Sequence, residues 1–114
     1  MKFTIPALPP TINHYYGRNG NHLFMRPEGT KFRQIVNMTL AQFRHRIVKD
    51  DRLAVSIGLV FANRRRCDID NRLKALLDSL MHAGVLVDDS AIDRLHVQRF
   101  AGDEEKTVVR ITKI

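Results

Sequence analysis

The chain has 114 residues, 44% of them hydrophobic, and 19 Lys and Arg against 12 Asp and Glu leave a net charge of +7. That length supports one domain with a modest core and excludes two, so residues 1–114 are read as a single domain. The basic excess favours nucleic acid or another anionic surface as partner, and a single cysteine, Cys67, excludes an intramolecular disulfide or a cysteine-rich metal framework.

Residues 2–6 read as a first strand, ended by Pro6, Pro9 and Pro10. The following stretch is rich in Asn, Gly, His and Tyr. Asn19-Gly20, with Tyr15-Tyr16 before it and Leu23-Phe24-Met25 after, predicts a hairpin. A helix is expected from Pro27 to Lys49, because Phe32, Ile35, Val36, Leu40, Phe43 and Ile47 recur at helical spacing. Lys31, Arg33, Arg44 and Arg46 lie on its other face. Leu53–Phe61 reads as a buried strand with Val55, Ile57, Leu59 and Phe61 on one side.

A second helix is expected from Asp70 to Ala83, with a core stripe of Leu73, Leu76, Leu77 and Leu80 and with Gly84 just past its end. Val85-Leu86-Val87 is a small strand or a loop. Two more strands, about 92–100 and 106–113, flank the polar turn Gly102-Asp103-Glu104-Glu105. The sum is an α+β chain: a small mixed β-sheet with two helices packed on it. The first residues lack the apolar core of a signal peptide, and no apolar run approaches the roughly 20 residues of a membrane span. A cytoplasmic protein with no membrane partner is expected.

Chemistry concentrates at Arg64-Arg65-Arg66-Cys67-Asp68-Ile69-Asp70-Asn71-Arg72-Leu73-Lys74, read together with Asp88-Asp89. Carboxylates suit a hard cation such as Mg²⁺, which takes oxygen ligands, and arginines suit phosphate. Both together point to a metal working on a phosphodiester. If the stretch is extended up to the helix start, the spacing of two puts Asp68 and Asp70 on the same side. Asn71 and Lys74, three apart, share a helix face. The second helix is about 20 Å long, and Val85–Asp89 spans about 16 Å when extended, so the return nearly covers the distance back to the helix start, and contact there is allowed but not forced. Converging aspartates could hold one or two Mg²⁺, with Mn²⁺ as a substitute. Lys74 would stabilise charge on the scissile phosphate, while Arg64, Arg65 and Arg66 would position the backbone. Lys31 and Arg33 are further DNA-contact candidates. Tyr15 and Tyr16 would either stack on unpaired bases or pack the hairpin.

Plainer roles stand beside these. Asp70 can be a helix N-cap, Asp88-Asp89-Ser90 a turn, and Lys74 with Asp78 a solvated i,i+4 pair. The three arginines can be a solvated loop. Aspartates placed among arginines would weaken polyanion binding unless a cation neutralised them, and that favours catalysis over binding alone. The five histidines show no zinc-ligand spacing, and Cys67 has no evident partner for nucleophilic chemistry.

At Asp68-Ile69-Asp70-Asn71-Arg72-Leu73-Lys74, followed by Gly84 and Asp88-Asp89, the chain resembles the RusA family of Holliday junction resolvases, as does the opening Pro9-Pro10-Thr11-Ile12-Asn13. The resemblance implies a RusA-like homodimer, Mg²⁺-dependent, that makes paired symmetric nicks in a four-way DNA junction during recombination and repair. It implies Asp68, Asp70 and Asp89 as metal-binding and catalytic residues, Lys74 as the essential lysine and Asn71 in support, with Asp88 the less certain of its pair. Two identical cuts on a two-fold substrate suit two identical sites in a C₂ dimer. Cys67 departs from the pattern, standing where the family often has arginine. A non-catalytic nucleic-acid-binding module, marked by Mg²⁺-independent and steeply salt-dependent binding, and a nuclease acting on flaps are the competing readings.

Overall fold

The structure, a computed structural model, describes residues 1–43, 52–62 and 68–114. Arg64, Arg65, Arg66 and Cys67, and the expected helical positions from Arg44 to Lys49, lie outside the described residues. The element order is β1 (Lys2–Ile5), α1 (Ile12–Tyr15), β2 (Tyr16–Asn19), β3 (His22–Met25), α2 (Pro27–Leu40), β4 (Leu53–Phe61), α3 (Leu73–His82), β5 (Ile92–Ala101) and β6 (Lys106–Lys113). Four strands form one sheet in the order β1-β6-β4-β5, and β2 pairs with β3 as a separate hairpin.

The main sheet is mixed. β6 is antiparallel to both β1 and β4, whereas β4 and β5 run parallel. Parallel neighbours need a crossover, and α3 supplies it. Strand alternation decides which side is covered. Phe3 is opposite Val109, Val109 opposite Ile57, and Ile57 opposite Val97, so one side chain from each strand falls in a single row across the sheet. On β4 the same face carries Leu53, Val55, Ile57, Leu59 and Phe61, all buried. α2 and α3 close that face with Phe32, Val36, Leu40, Leu76 and Leu80. Each such side chain contributes roughly 1.5–3 kcal/mol when fully buried. The opposite face of the sheet stays open, and Ser56, His96 and Arg110 on it are exposed.

α2 begins with Pro27 at its first position and Glu28 in its first turn, a favoured start because Pro has no N–H to satisfy and the carboxylate meets the positive helix end. Its α-helical part runs to Leu40 and tightens into a 3-10 turn over Ala41–Phe43, the last described residues of the expected helix. Phe43 reaches Phe3 of β1 there, with ring centroids 6.0 Å apart. The hairpin turns at Asn19-Gly20-Asn21, where Gly20 takes a φ of 62° that favours glycine. α1, only four residues long, was not expected from the sequence. Val85-Leu86-Val87 is loop rather than strand, with Val85 and Leu86 buried as anchors. No helix among the described residues is long and apolar enough to cross a membrane.

Candidate active site

α3 holds the site because it enters from the Asp68–Arg72 loop and leaves toward Asp88-Asp89. Its start is loosely finished. Ile69 has φ −92° and ψ −25°, and Asp70–Arg72 form a 3-10 turn before the α-helix proper. The stretch is therefore not extended through Asp70, and strand alternation does not align Asp68 with Asp70. Turning the backbone at Ile69 lets that side chain pack against the core. Nor is Asp70 an N-cap: Arg72 occupies that position in α3 and makes no side-chain cap hydrogen bond. Arg72 instead donates through Nη1 to the Pro9 carbonyl at 2.7 Å and lies over the Phe61 ring at 5.4 Å, fastening the loop to the proline segment.

Asp68 and Asp70 are exposed, and neither side chain has a hydrogen bond or ion pair among the described residues; the Asp70 carbonyl accepts from the Leu73 N–H. Asn71 is half-buried, and its Oδ1 has no hydrogen-bond donor among the described residues. A buried oxygen without a donor costs about 1–3 kcal/mol, and this one does not face solvent as a DNA contact would.

The exit of α3 is better satisfied. Gly84 has φ 80°, its N–H donates to Met81 O at 3.0 Å, and the Val85 N–H donates to Leu80 O at 3.0 Å. This Schellman geometry satisfies carbonyls left over at the helix end and reverses the chain, with Val85 and Leu80 both buried. The return brings Asp89 to Lys74: Nζ to Oδ2 is 4.0 Å. The short return therefore closes the distance to the lysine. Asp88 has the turn role open to it, its Oδ1 accepting from the Ser90 N–H at 3.1 Å. That hydrogen bond holds the Asp88 carboxyl below the usual carboxylate range.

Lys74 also pairs with Asp78 one turn along α3, Nζ to Oδ1 at 3.2 Å. Hydrogen bonding to Asp78, then its negative charge and those of Asp89 and Asp88, raises the Lys74 ammonium above its ordinary value, so it is cationic at neutral pH. The other Asp78 oxygen, Oδ2, accepts from the Tyr16 hydroxyl at 3.0 Å. Partial burial, then this hydrogen bond, pushes the Tyr16 phenol up and keeps it a donor. Arg33 on α2 donates to the Tyr16 hydroxyl at 3.2 Å and to the Tyr15 hydroxyl at 2.6 Å. The Tyr15 hydroxyl in turn meets Ser79 Oγ at 2.9 Å.

These contacts reassign three expected DNA contacts. Tyr15 is fully buried, so its ring is no platform for a base. Tyr16 and Arg33 are half-buried and spend their polar groups inside the protein. Lys31 is exposed on α2 and lines a separate cleft with Glu28, Phe61 and Arg72, which contains none of the aspartates. Asp78 is the residue that sequence reasoning undervalued. Its i,i+4 spacing to Lys74 was visible, whereas its burial and its bond to Tyr16 depend on how the hairpin meets α3.

In kind, the donor set fits a hard divalent cation: the carboxylates of Asp68, Asp70 and Asp89, with no soft ligand among them. In arrangement, no three His, Cys, Asp or Glu among the described residues gather closely enough to hold one.

Exposed Asp68 and Asp70 side chains with no partner among the described residues, and the Lys74 ammonium beside Asp89, on a small basic α+β frame, are the kinds of group that phosphodiester-cleaving nucleases use. The family model described as endodeoxyribonuclease RusA matches residues 6–112. A crossover junction endodeoxyribonuclease of Enterobacteria phage HK97 is 37% identical over 98 residues, covering 86% of this chain and 81% of the relative. One of Aquifex aeolicus is 33% identical over 114 residues, covering 97% and 90%. One of Escherichia coli K12 is 30% identical over 92 residues, covering 74% and 70%. The chain belongs to the endodeoxyribonuclease RusA family, whose members are nucleases that hydrolyse phosphodiester bonds.

Proposed function

We propose that this chain is a structure-selective endodeoxyribonuclease that resolves four-way DNA junctions by paired symmetric nicks, as a homodimer acting in the cytoplasm in recombination and repair. The observation that carries this reading is the approach of Lys74 on α3 to Asp89 at 4.0 Å, beside a loop whose Asp68 and Asp70 side chains have no partner among the described residues. The names of the relatives support the junction as substrate.

Asp68, Asp70 and Asp89 do not lie close enough together to hold a cation as they stand, and would have to draw together to hold Mg²⁺, or Mn²⁺ in its place. When bound, the cation would supply an activated water and neutralise charge on the scissile phosphate. The chain's own residues account for the rest. Lys74, kept cationic by Asp78 and Asp89, offers a fixed positive charge to the phosphate as negative charge builds on it. Lys31 and the arginines at positions 64–66 contribute a sequence-independent attraction to the DNA backbone. Arg72 ties the loop carrying Asp68 and Asp70 to Pro9, which limits how far the carboxylates can wander from α3. Two such sites, related by a two-fold axis, would match the symmetry of a junction.

The test is cleavage of a labelled synthetic four-way junction, a linear duplex and a flap, each with Mg²⁺ and with EDTA. Symmetric nicking of the junction alone, abolished by EDTA, is the expected result. Tight junction binding with no cut in Mg²⁺ or Mn²⁺ would overturn it, and preferential flap cleavage would move the substrate.

A further inference from the structure

Lys74 is 58% exposed at its side chain, and a lysine on its flexible four-carbon stem does not hold one geometry unaided. Here the ammonium is gripped between Asp78 at 3.2 Å and Asp89 at 4.0 Å. The two carboxylates are unlike each other. The Asp89 side chain is 39% exposed and sits on the return loop. That of Asp78 is 12% exposed and rises from the middle of α3, with its second oxygen held by Tyr16. Tyr16 is itself fixed by Arg33 from α2, which also grips Tyr15. Protons and charges along this line agree at every step. Arg33 donates twice, Tyr16 accepts from Arg33 and donates to Asp78, and Tyr15 is left free to donate to Ser79.

We propose that Asp78, buttressed by Tyr16 and Arg33, is the positioning residue for Lys74, aiming the ammonium at the Asp89 side of the site where the reacting phosphate is received. This rests on the reading of Lys74 as a catalytic residue. The hairpin and α2 thereby act on the chemistry without touching DNA. Asp78 is placed to anchor rather than to ligate, because both its oxygens are already engaged within the protein. A misplacement of about 1 Å in a reacting group can cost up to about 10²-fold, so the anchor has measurable consequences.

Two measurements test the proposal. The first is kinetic. Asp78→Asn keeps an oxygen for Tyr16 but removes the charge that holds Lys74. It should lower kcat on a four-way junction about 10- to 100-fold, with KM and metal-free junction binding unchanged. Asp78→Glu should recover part of the loss. In a Lys74→Ala background, Asp78→Asn should change the residual rate by less than about twofold, because two residues acting as one unit are not additive. An equal loss in both backgrounds, or none in the parent, overturns the proposal. Tyr16→Phe should show a smaller loss with the same dependence on Lys74, and unfolding midpoints identify any variant that simply fails to fold.

The second measurement needs no turnover. The NMR order of the Lys74 side-chain ammonium should fall in Asp78→Asn to that of a free surface lysine, and unchanged order overturns the positioning role. If order falls while Lys74→Ala cuts the junction at full rate, the positioning stands and the catalytic reading of Lys74 is what fails.

Discussion

The two ends of α3 are finished in opposite ways. At its exit, Gly84 and Val85 donate to Met81 and Leu80 carbonyls, and apolar side chains on both sides of the turn are buried. At its start there is no side-chain cap, and among the described residues Asn71 Oδ1 is buried without a donor and the Asp68 and Asp70 side chains have no partner. Of these, only the buried Asn71 oxygen carries a desolvation cost, while the two aspartates are open to water. The difference between the ends teaches where stability is made and where chemistry is proposed to occur. Substitutions at the start should damage cleavage and spare the fold, and substitutions at the exit should do the reverse.

The largest effect is expected from Asp70→Asn. Cleavage should fall on the order of 10³-fold, as when one preorganised transition-state group is lost. Urea unfolding should stay within about 0.5 kcal/mol of the parent, since exposed positions without partners contribute little. Junction binding measured in EDTA should hold or tighten, because a carboxylate facing the polyanion is gone. A large stability loss would show that Asp70 has a structural job after all.

Next comes Leu80→Ala at the exit. It should destabilise by about 2–5 kcal/mol, because the side chain is fully buried and leaves a cavity. Specific activity per folded molecule should change far less. Gly84→Ala should cost about 1–2 kcal/mol, the penalty for a side chain in the left-handed region, and should loosen the return to Asp89. A drop in activity larger than the stability loss explains would blur the division between the two ends.

The smallest effect concerns Asp88. Its folded-state pKa is depressed by the Ser90 N–H, so its contribution to stability is present above the ordinary aspartate value of about 3.9 and disappears as pH falls through the lower folded value. Asp88→Ala should therefore lower stability slightly at pH 7 and have no effect in strong acid, a difference read from unfolding curves at the two pH values.

Much of this was legible in the chain. Alternation in Leu53–Phe61 gave the buried face of β4, Asn19-Gly20 gave the hairpin, and Gly84 marked the end of α3 within a residue or two, since each is a local signal of backbone geometry. The motif around Asp68–Lys74 led to the family. What escaped was set by tertiary contact. α1 is too short to show periodicity. The 3-10 turn at Asp70–Arg72 goes with a long-range bond, Arg72 to the Pro9 carbonyl, that local spacing does not reveal. Tyr15 and Tyr16 were open between stacking and packing, and only the meeting of the hairpin with α3 decides for packing. Asp78 looked like one half of a surface pair because sequence spacing says nothing about which carboxylates become buried.

The sheet order has a consequence for assembly in time. β1 pairs only with β6, Lys2 meeting Arg110 across more than a hundred intervening residues. Closing so long a loop is entropically late and slow. β4, α3 and β5 can gather far more locally, so the segment carrying the aspartates should become ordered before β1 docks. The buttress from Tyr16 and Arg33 comes from β2 and α2 rather than from β1, so Lys74 is steadied once these elements dock on α3. Pulse-labelled hydrogen exchange during refolding should show β4 and β5 amides protected before those of β1. The lysine and its carboxylates would then be in place while the sheet edge is still closing.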